Sequence, residues 1–271
     1  MSPLWRDEVG IFLAPTKVVL VRLARGVRPQ PVASVQRTVS SNHPSTWDAA
    51  LASLCEVLAG EEWQAANARV VVADAWVRYA VVPWAAALTG AAERRAHAQH
   101  VMDQLFGDRV CGWRLALGEQ AAGLPGIACA VAAELLEGLM AAAAAARLRV
   151  LSLQPQLIAA YNHWRRTLPD EPGWFVSVDA GTLAAMQLTR GGWSQVRSVR
   201  IGDDWSVELR RLRTFGRLAA GSDDGSRVYV DAPAFASTSE SAADDNLRLL
   251  RDAVAGQGTL GHLMSARVAS Q

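Results

Sequence analysis

The apolar positions of this chain repeat themselves. In residues 174–201, WFVSVDAGTLAAMQLTRGGWSQVRSVRI, Val176, Val178, Leu183, Met186, Leu188, Val196 and Val199 fall at or near strand period, which predicts three short strands. Ala180-Gly181-Thr182 and Gly191-Gly192 predict the turns between them, because glycine reaches positive φ without steric cost. Residues 9–26, VGIFLAPTKVVLVRLARG, lie over residues 174–191 with no gap. Ile11 falls on Val176, Leu13 on Val178, Val21 on Met186, Leu23 on Leu188 and Gly26 on Gly191. A third strand over 32–39 follows the first copy as residues 195–201 follow the second. A doubled three-strand unit, each copy followed by a helix, predicts an α/β chain of two like-folded halves.

Between the copies the pattern predicts a helix over 46–66, capped by Ser45 or Thr46, with Trp47, Leu51, Leu54, Val57 and Leu58 on one face. Strands are expected over 69–73 and 77–83, with Asp74-Ala75-Trp76 turning one into the other. A helix over 91–106 ends at Gly107, strands follow over 111–117 and 127–131, and a helix occupies 132–146. A strand over 149–153 closes the first half. The second half opens with a helix over 155–166, proline sitting at a permitted first-turn position. After the second three-strand unit, Gly202-Asp203-Asp204 caps a helix to residue 215, a strand covers 227–231 and a short helix covers 246–254. The expected domains are residues 1–153, residues 154–256 and a flexible tail over 257–271, with 233–245 also mobile.

Composition narrows the class. The net charge is +1, so no global basic field draws the chain to nucleic acid or anionic lipid. Cys55, Cys111 and Cys129 are widely spaced and odd in number, which predicts buried thiols in a reducing compartment, not a disulfide framework or zinc site. The charged N-terminus does not read as a signal peptide, and Glu134 and Glu137 interrupt the most apolar run. A cytoplasmic chain that meets the membrane only through partners is expected. The tryptophans at strand ends and helix starts read as packing anchors.

Candidate chemistry is sparse. Glu93, His97, His100 and Asp103 share a helix face, where a solvated surface explains them better than a metal site. Asp74 could be read as catalytic, but turn chemistry accounts for it. No GxSxG, HExxH or P-loop occurs. Arg197, Arg200, Arg210, Arg211, Arg213 and Arg217 gather positive charge in the second half, either as a docking face for an acidic partner segment or as a solvated surface.

The opening VGIFLAPTKVVLVRLARG, VVVADAWVRYAVVPW over 70–84, FGDRVCGWRLALG over 106–118 and LSLQPQLIAAYN over 151–162 leading into VSVDAGT occur in an order that resembles the actin-like, ribonuclease H-like fold. Within it, the order resembles the PilM and GspL group of type IV pilus and type II secretion machines. The second half is shorter than in pilus members, and the membrane span and periplasmic domain of secretion members are not matched. The resemblance implies two actin-like halves with mixed sheets flanked by helices, the second compact. It also implies a non-catalytic cytoplasmic adaptor whose partner is the cytoplasmic tail of an inner-membrane assembly protein. The assembly ATPase and a second copy of the chain are further partners to consider, and nucleic acid is not.

Actin-like enzymes hold ATP with magnesium between two hairpins, each offering backbone N–H groups to phosphate and an acid to the metal. The second copy keeps Asp179, Gly181 and Thr182. The same columns of the first hold Ala14, Thr16 and Lys17, and Pro15 removes a donor. No cofactor and no catalytic residue are therefore expected; if nucleotide binds, Asp179, Gly181, Thr182 and Lys17 are its contacts. The rival readings are a nucleotide-dependent ATPase or small-molecule kinase of the same fold, and a filament former.

Overall fold

The computed structural model describes residues 6–26, 30–40, 46–118, 121–179, 181–190, 192–202, 204–220, 227–232 and 246–250. The first sheet contains β1 (Glu8–Leu13), β2 (Lys17–Leu23), β3 (Pro31–Thr38), β4 (Asn67–Val72) and β8 (Arg149–Pro155), in the order β3-β2-β1-β4-β8. The second contains β9 (Gly173–Asp179), β10 (Thr182–Thr189), β11 (Gly192–Arg200), β12 (Arg227–Asp231) and β13 (Leu247–Leu250), in the order β11-β10-β9-β12-β13. Each sheet has an antiparallel meander on one side and parallel strands on the other.

The hairpins of the two sheets match register for register. Leu13 faces Val18 in the first and Val178 faces Leu183 in the second; Glu8 faces Leu23 and Gly173 faces Leu188. A β-bulge interrupts β2–β3 between Arg22 and Leu23, and another interrupts β10–β11 between Gln187 and Leu188, the aligned pair. A bulge is a local insertion that bends a strand, so its recurrence at the aligned position marks a shared backbone plan.

Contacts divide the chain into two compact units. Among the described residues, one holds the chain up to Trp76 together with Ala133–Arg166; the other holds Val77–Ala132 together with the chain from Thr167 to Leu250. This grouping differs from the expected cut between residues 153 and 154. Strand β8 runs through that cut, and the segment from Val77 to Ala132 forms a sheet of its own that packs beside β11. The expected tail, residues 257–271, and the segment 233–245 lie outside the described residues.

In the first unit β1 and β4 are buried along their whole length, as strands covered on both faces must be. Helix α1 (Asp48–Leu58) buries Ala50, Leu54, Val57 and Leu58. It meets α3 (Ala133–Ala145) where Gly138 leaves room for Leu51; a Cβ there would lie 2.7 Å from Leu51 Cδ1. Helix α1 is shorter than expected. Trp47 occupies its N-cap without a side-chain bond, Ser45 lies outside the described residues, and after Gly60 the chain tightens into a 3-10 turn over Glu61–Trp63. Strand β4 carries a buried ion pair, Arg69 Nε to Glu8 Oε1 of β1 at 2.8 Å. Helix α4 (Gln156–Trp164) follows β8.

The second unit has two cores. Helix α5 (Trp205–Ala220) lays Trp205, Leu209 and Leu212 on Trp174, Val176, Val178, Leu183, Val228 and Val230 of the second sheet. Each such fully buried aliphatic side chain contributes about 1.5–3 kcal/mol. Asp204 precedes α5 and accepts the Ser206 N–H at 2.8 Å; Asp203, expected to share that role, lies outside the described residues. The other core lies under α2 (Ala91–Phe106), which covers the antiparallel sheet β5-β7-β6, formed by β5 (Val77–Val82), β6 (Trp113–Leu117) and β7 (Gly126–Ala132). Ala98 and Met102 of α2 pack there on Ala80, Val82, Leu115 and Ala130.

Two further expectations are corrected. Residues 247–250 form a strand instead of beginning a helix, because Leu-Arg-Leu-Leu pairs in parallel with β12 as β8 pairs with β4. The thiols are not buried: Cys55 and Cys111 are exposed and Cys129 is partly covered. Cys55 follows the inward Leu54 on α1 and so faces away from the sheet. The anchoring role of tryptophan holds at Trp63, Trp76, Trp174 and Trp205, all buried.

Candidate functional site

Strand β9 alternates between two destinations. Trp174, Val176 and Val178 enter the core under α5, while Phe175, Ser177 and Asp179 point to the opposite face, where they are also buried. Asp179 pairs with Thr182 across the turn, and Gly181 within it has φ +73°, the left-handed region that disfavours a side chain. The carbonyl of Gly181 accepts the N–H of Ile201 at 3.0 Å, which ties the turn to the chain leaving β11. Asp179, Gly181 and Thr182 thus stand together at this turn. Asp179 and Thr182 are only 3% and 5% exposed, so little of either meets solvent.

Ser177 and Asp231 extend this polar face. They are register partners on the parallel strands β9 and β12, and both are buried. Ligands of open α/β sheets collect beyond the carboxyl ends of the strands, where Asp179 and Asp231 lie. Sequence reasoning missed Ser177 and Asp231. Their signal was the pair of polar residues Ser177 and Asp179 at alternate positions of an otherwise apolar strand, and an acid closing residues 227–231.

The aligned hairpin of the first unit has the same register and different chemistry. Ala14 takes the column of Asp179, Pro15 that of Ala180, Thr16 that of Gly181 and Lys17 that of Thr182. The Ala14 N–H already donates to the Lys17 carbonyl at 3.0 Å, and Pro15 has none to give. The Thr16 carbonyl accepts from Val39 at 2.8 Å. Lys17 Nζ stands 5.4 Å from the centre of the Phe12 ring, a cation–π contact. The turn offers no carboxylate to a metal and no glycine for close phosphate approach.

Asp74, Glu93 and Asp103 have structural partners. Asp74 opens a 3-10 turn and accepts the N–H of Leu157 at 3.1 Å, satisfying a donor of the first turn of α4. Glu93 Oε2 accepts the N–H groups of Thr89 and Gly90 at 3.0 Å each, and Asp103 accepts from Gln99 at 2.8 Å. Among the described residues, no three His, Cys, Asp or Glu side chains gather to hold a metal ion. Of the arginines, Arg197, Arg200, Arg210 and Arg211 are exposed, and Arg211 pairs with Glu208 at 2.6 Å. The side chains of Arg213 and Arg217 lie outside the described residues. No helix among the described residues is long and apolar enough to cross a membrane.

Paired mixed sheets of one order and register, each with its own hairpin, define the actin-like ATPase fold. No known sequence family and no curated protein matches the chain. Solved structures match it over nearly its whole length. One is the PilM-PilN type IV pilus biogenesis complex, with TM-score 0.69, 14% identity, and coverage of 97% of this chain and 96% of that one. A second is a Bacteroides thetaiotaomicron protein described as having an actin-like ATPase fold and unknown function, with TM-score 0.63, 10% identity, and 96% of each chain covered. A third is the cytoplasmic domain of EpsL, an inner-membrane component of the type II secretion system of Vibrio cholerae. It has TM-score 0.59, 12% identity, and coverage of 98% of this chain and 96% of that one. The fold implied by the sequence resemblance is the fold of this chain.

Proposed function

We propose that this chain is a non-catalytic scaffold of a type IV pilus or type II secretion-like machine, docking the cytoplasmic tail of an inner-membrane partner. The observation that carries this reading is the first hairpin, which keeps the register of the second but lacks its acid and its glycine. The likeness to PilM in complex with PilN and to the EpsL cytoplasmic domain supports the assignment to that class of machine. An extended tail can add to an open sheet edge by main-chain pairing while apolar pockets give specificity. In the first unit β3 is such an edge: it is the outer strand, and its Val32 is exposed.

The test is calorimetric titration of the purified chain with peptides copying the cytoplasmic N-termini of single-span membrane proteins encoded beside it. A separate titration uses ATP with magnesium. Saturable peptide binding without nucleotide binding is the expected result. Saturable ATP binding that disappears in Asp179→Ala, with no peptide bound, replaces the scaffold with an ATPase or kinase. The assembly ATPase and a second copy of the chain are further partners to assay.

A further inference from the structure

In the sheet β5-β7-β6, β6 is an outer strand, and among the described residues no strand pairs with its far side. The Gly118 N–H donates to the Ile127 carbonyl at 2.9 Å, so these two residues occupy a hydrogen-bonded position of the antiparallel ladder. Counting back by twos, Ala116 with Cys129 and Arg114 with Val131 occupy the same kind of position. Trp113, Leu115 and Leu117 therefore turn their backbone N–H and C=O groups away from β7, toward the open edge. Such unpaired groups are a template for another strand. The middle one is already engaged: Arg95 of α2 donates from Nη2 to the Leu115 carbonyl at 3.2 Å. The outer strand β8 of the first sheet is protected by another means, a bulge at Leu151, where its register with β4 steps from Val150 to Ser152.

We propose that the β6 edge is a contact surface for a second copy of this chain, held shut by Arg95. Antiparallel pairing about a two-fold axis at Leu115 sets Trp113 against Leu117 of the second copy, and Leu115 against its own counterpart, all in hydrogen-bonded positions. The same axis sets Arg114 against Ala116 of the second copy. Arg114 is the one charged side chain of β6, so no like charges meet, and its bulk lies beside an exposed alanine. Trp113, Leu115 and Leu117 pack on the core under α2, so the pairing exposes none of them. The Leu115 carbonyl is the acceptor for which Arg95 and the Leu115 N–H of the second copy compete. While Arg95 occupies it, the two strands do not close on one another, and crowded copies stay separate. The contact lies within the second unit and is independent of the docking reading above.

The experiment measures the mass of the full chain by sedimentation velocity over a wide concentration range, and amide exchange at Leu115 and Leu117. In the native chain both amides are expected to exchange rapidly. Arg95→Ala is expected to double the native mass and to slow exchange at both. Arg95→Lys keeps a donor and is expected to keep the native mass. In the Arg95→Ala chain, Ala116→Lys places a like charge opposite Arg114 of the second copy, and Ala116→Glu places an opposite one. The first is expected to weaken the association about fivefold and the second to tighten it by as much, since the two-fold axis repeats each pair. Residues 95 and 116 are both exposed, so these changes leave the core untouched. A native mass in Arg95→Ala, association with both amides still exchanging rapidly, or equal effects of Ala116→Lys and Ala116→Glu overturns the assignment.

Discussion

Asp74 and Leu157 are 83 residues apart in the chain, yet the carboxylate of one accepts the backbone N–H of the other at 3.1 Å. Asp74 is buried, and α4 begins after Pro155 with no side-chain cap of its own. A residue from the end of β4 thereby does the work usually left to a local Ser or Asp. Asp74→Ala is expected to destabilise the chain by about 1–2 kcal/mol, the loss of a cap plus an unpaired buried donor. Asp74→Asn keeps an acceptor and should lose less. Urea unfolding of both variants checks this, and equal losses would exclude the capping role.

The Glu8–Arg69 pair joins adjacent strands at the interior of the first sheet, with side chains 10% and 9% exposed. Removing one partner strands a buried charge, so Glu8→Ala is expected to lose about 3 kcal/mol or more. Replacing both by leucine should recover much of that loss. A double-mutant cycle in urea measures the coupling; additive effects would mean the two side chains do not interact.

Gly173 and Gly181 serve the same unit for different reasons. A Cβ at Gly173 would lie 2.8 Å from the Arg227 carbonyl, so Gly173→Ala pushes β12 away from β9. A loss of about 1–3 kcal/mol is expected, with faster amide exchange along β12. At Gly181 nothing lies within 4 Å, and only φ +73° resists a side chain. Gly181→Ala is expected to lose about 1–2 kcal/mol and Gly181→Asn less, since asparagine tolerates that region. Hydrogen exchange separates the two cases: β12 responds in the first and not in the second.

Asp7 carries an acid dependence. Burial raises its pKa, but the hydrogen bond from Arg22 Nε at 2.9 Å, the Arg25 N–H at 3.1 Å and both positive charges outweigh that and lower it. A folded-state pKa below the unfolded value gives stability that is present above the unfolded pKa of about 3.9 and is lost as pH falls through the folded one. The urea midpoint of the native chain should exceed that of Asp7→Asn by a constant amount above about pH 5, and the gap should close below about pH 4. A gap that persists at pH 2.5 would assign the difference to packing.

Much of the architecture was legible because strand period and turn chemistry are local. Residues 9–26 and 174–191 align without a gap, and the register of β1–β2 repeats that of β9–β10. Asp179, Gly181, Thr182 and the altered first turn were legible for the same reason. What could not be read depends on distant partners. Leu247–Leu250 is a strand because β12 offers it an edge, and four residues in isolation favour helix. The buried Ser177 and Asp231 become neighbours only when β9 and β12 pair.

The twin registers set the chain a problem in its own assembly. By backbone counting alone, β2 fits β9 as well as it fits β1. Side-chain bulk tells the two apart. Gly10 faces Val21 and Phe12 faces Val19 in one sheet, whereas Phe175 faces Met186 and Ser177 faces Ala184 in the other, with small and large transposed. A crossed pairing would press Phe175 into the space sized for Gly10 and leave a hollow where Phe12 belongs. Volume thus acts as a lock that keeps each copy with its own strands while the chain folds.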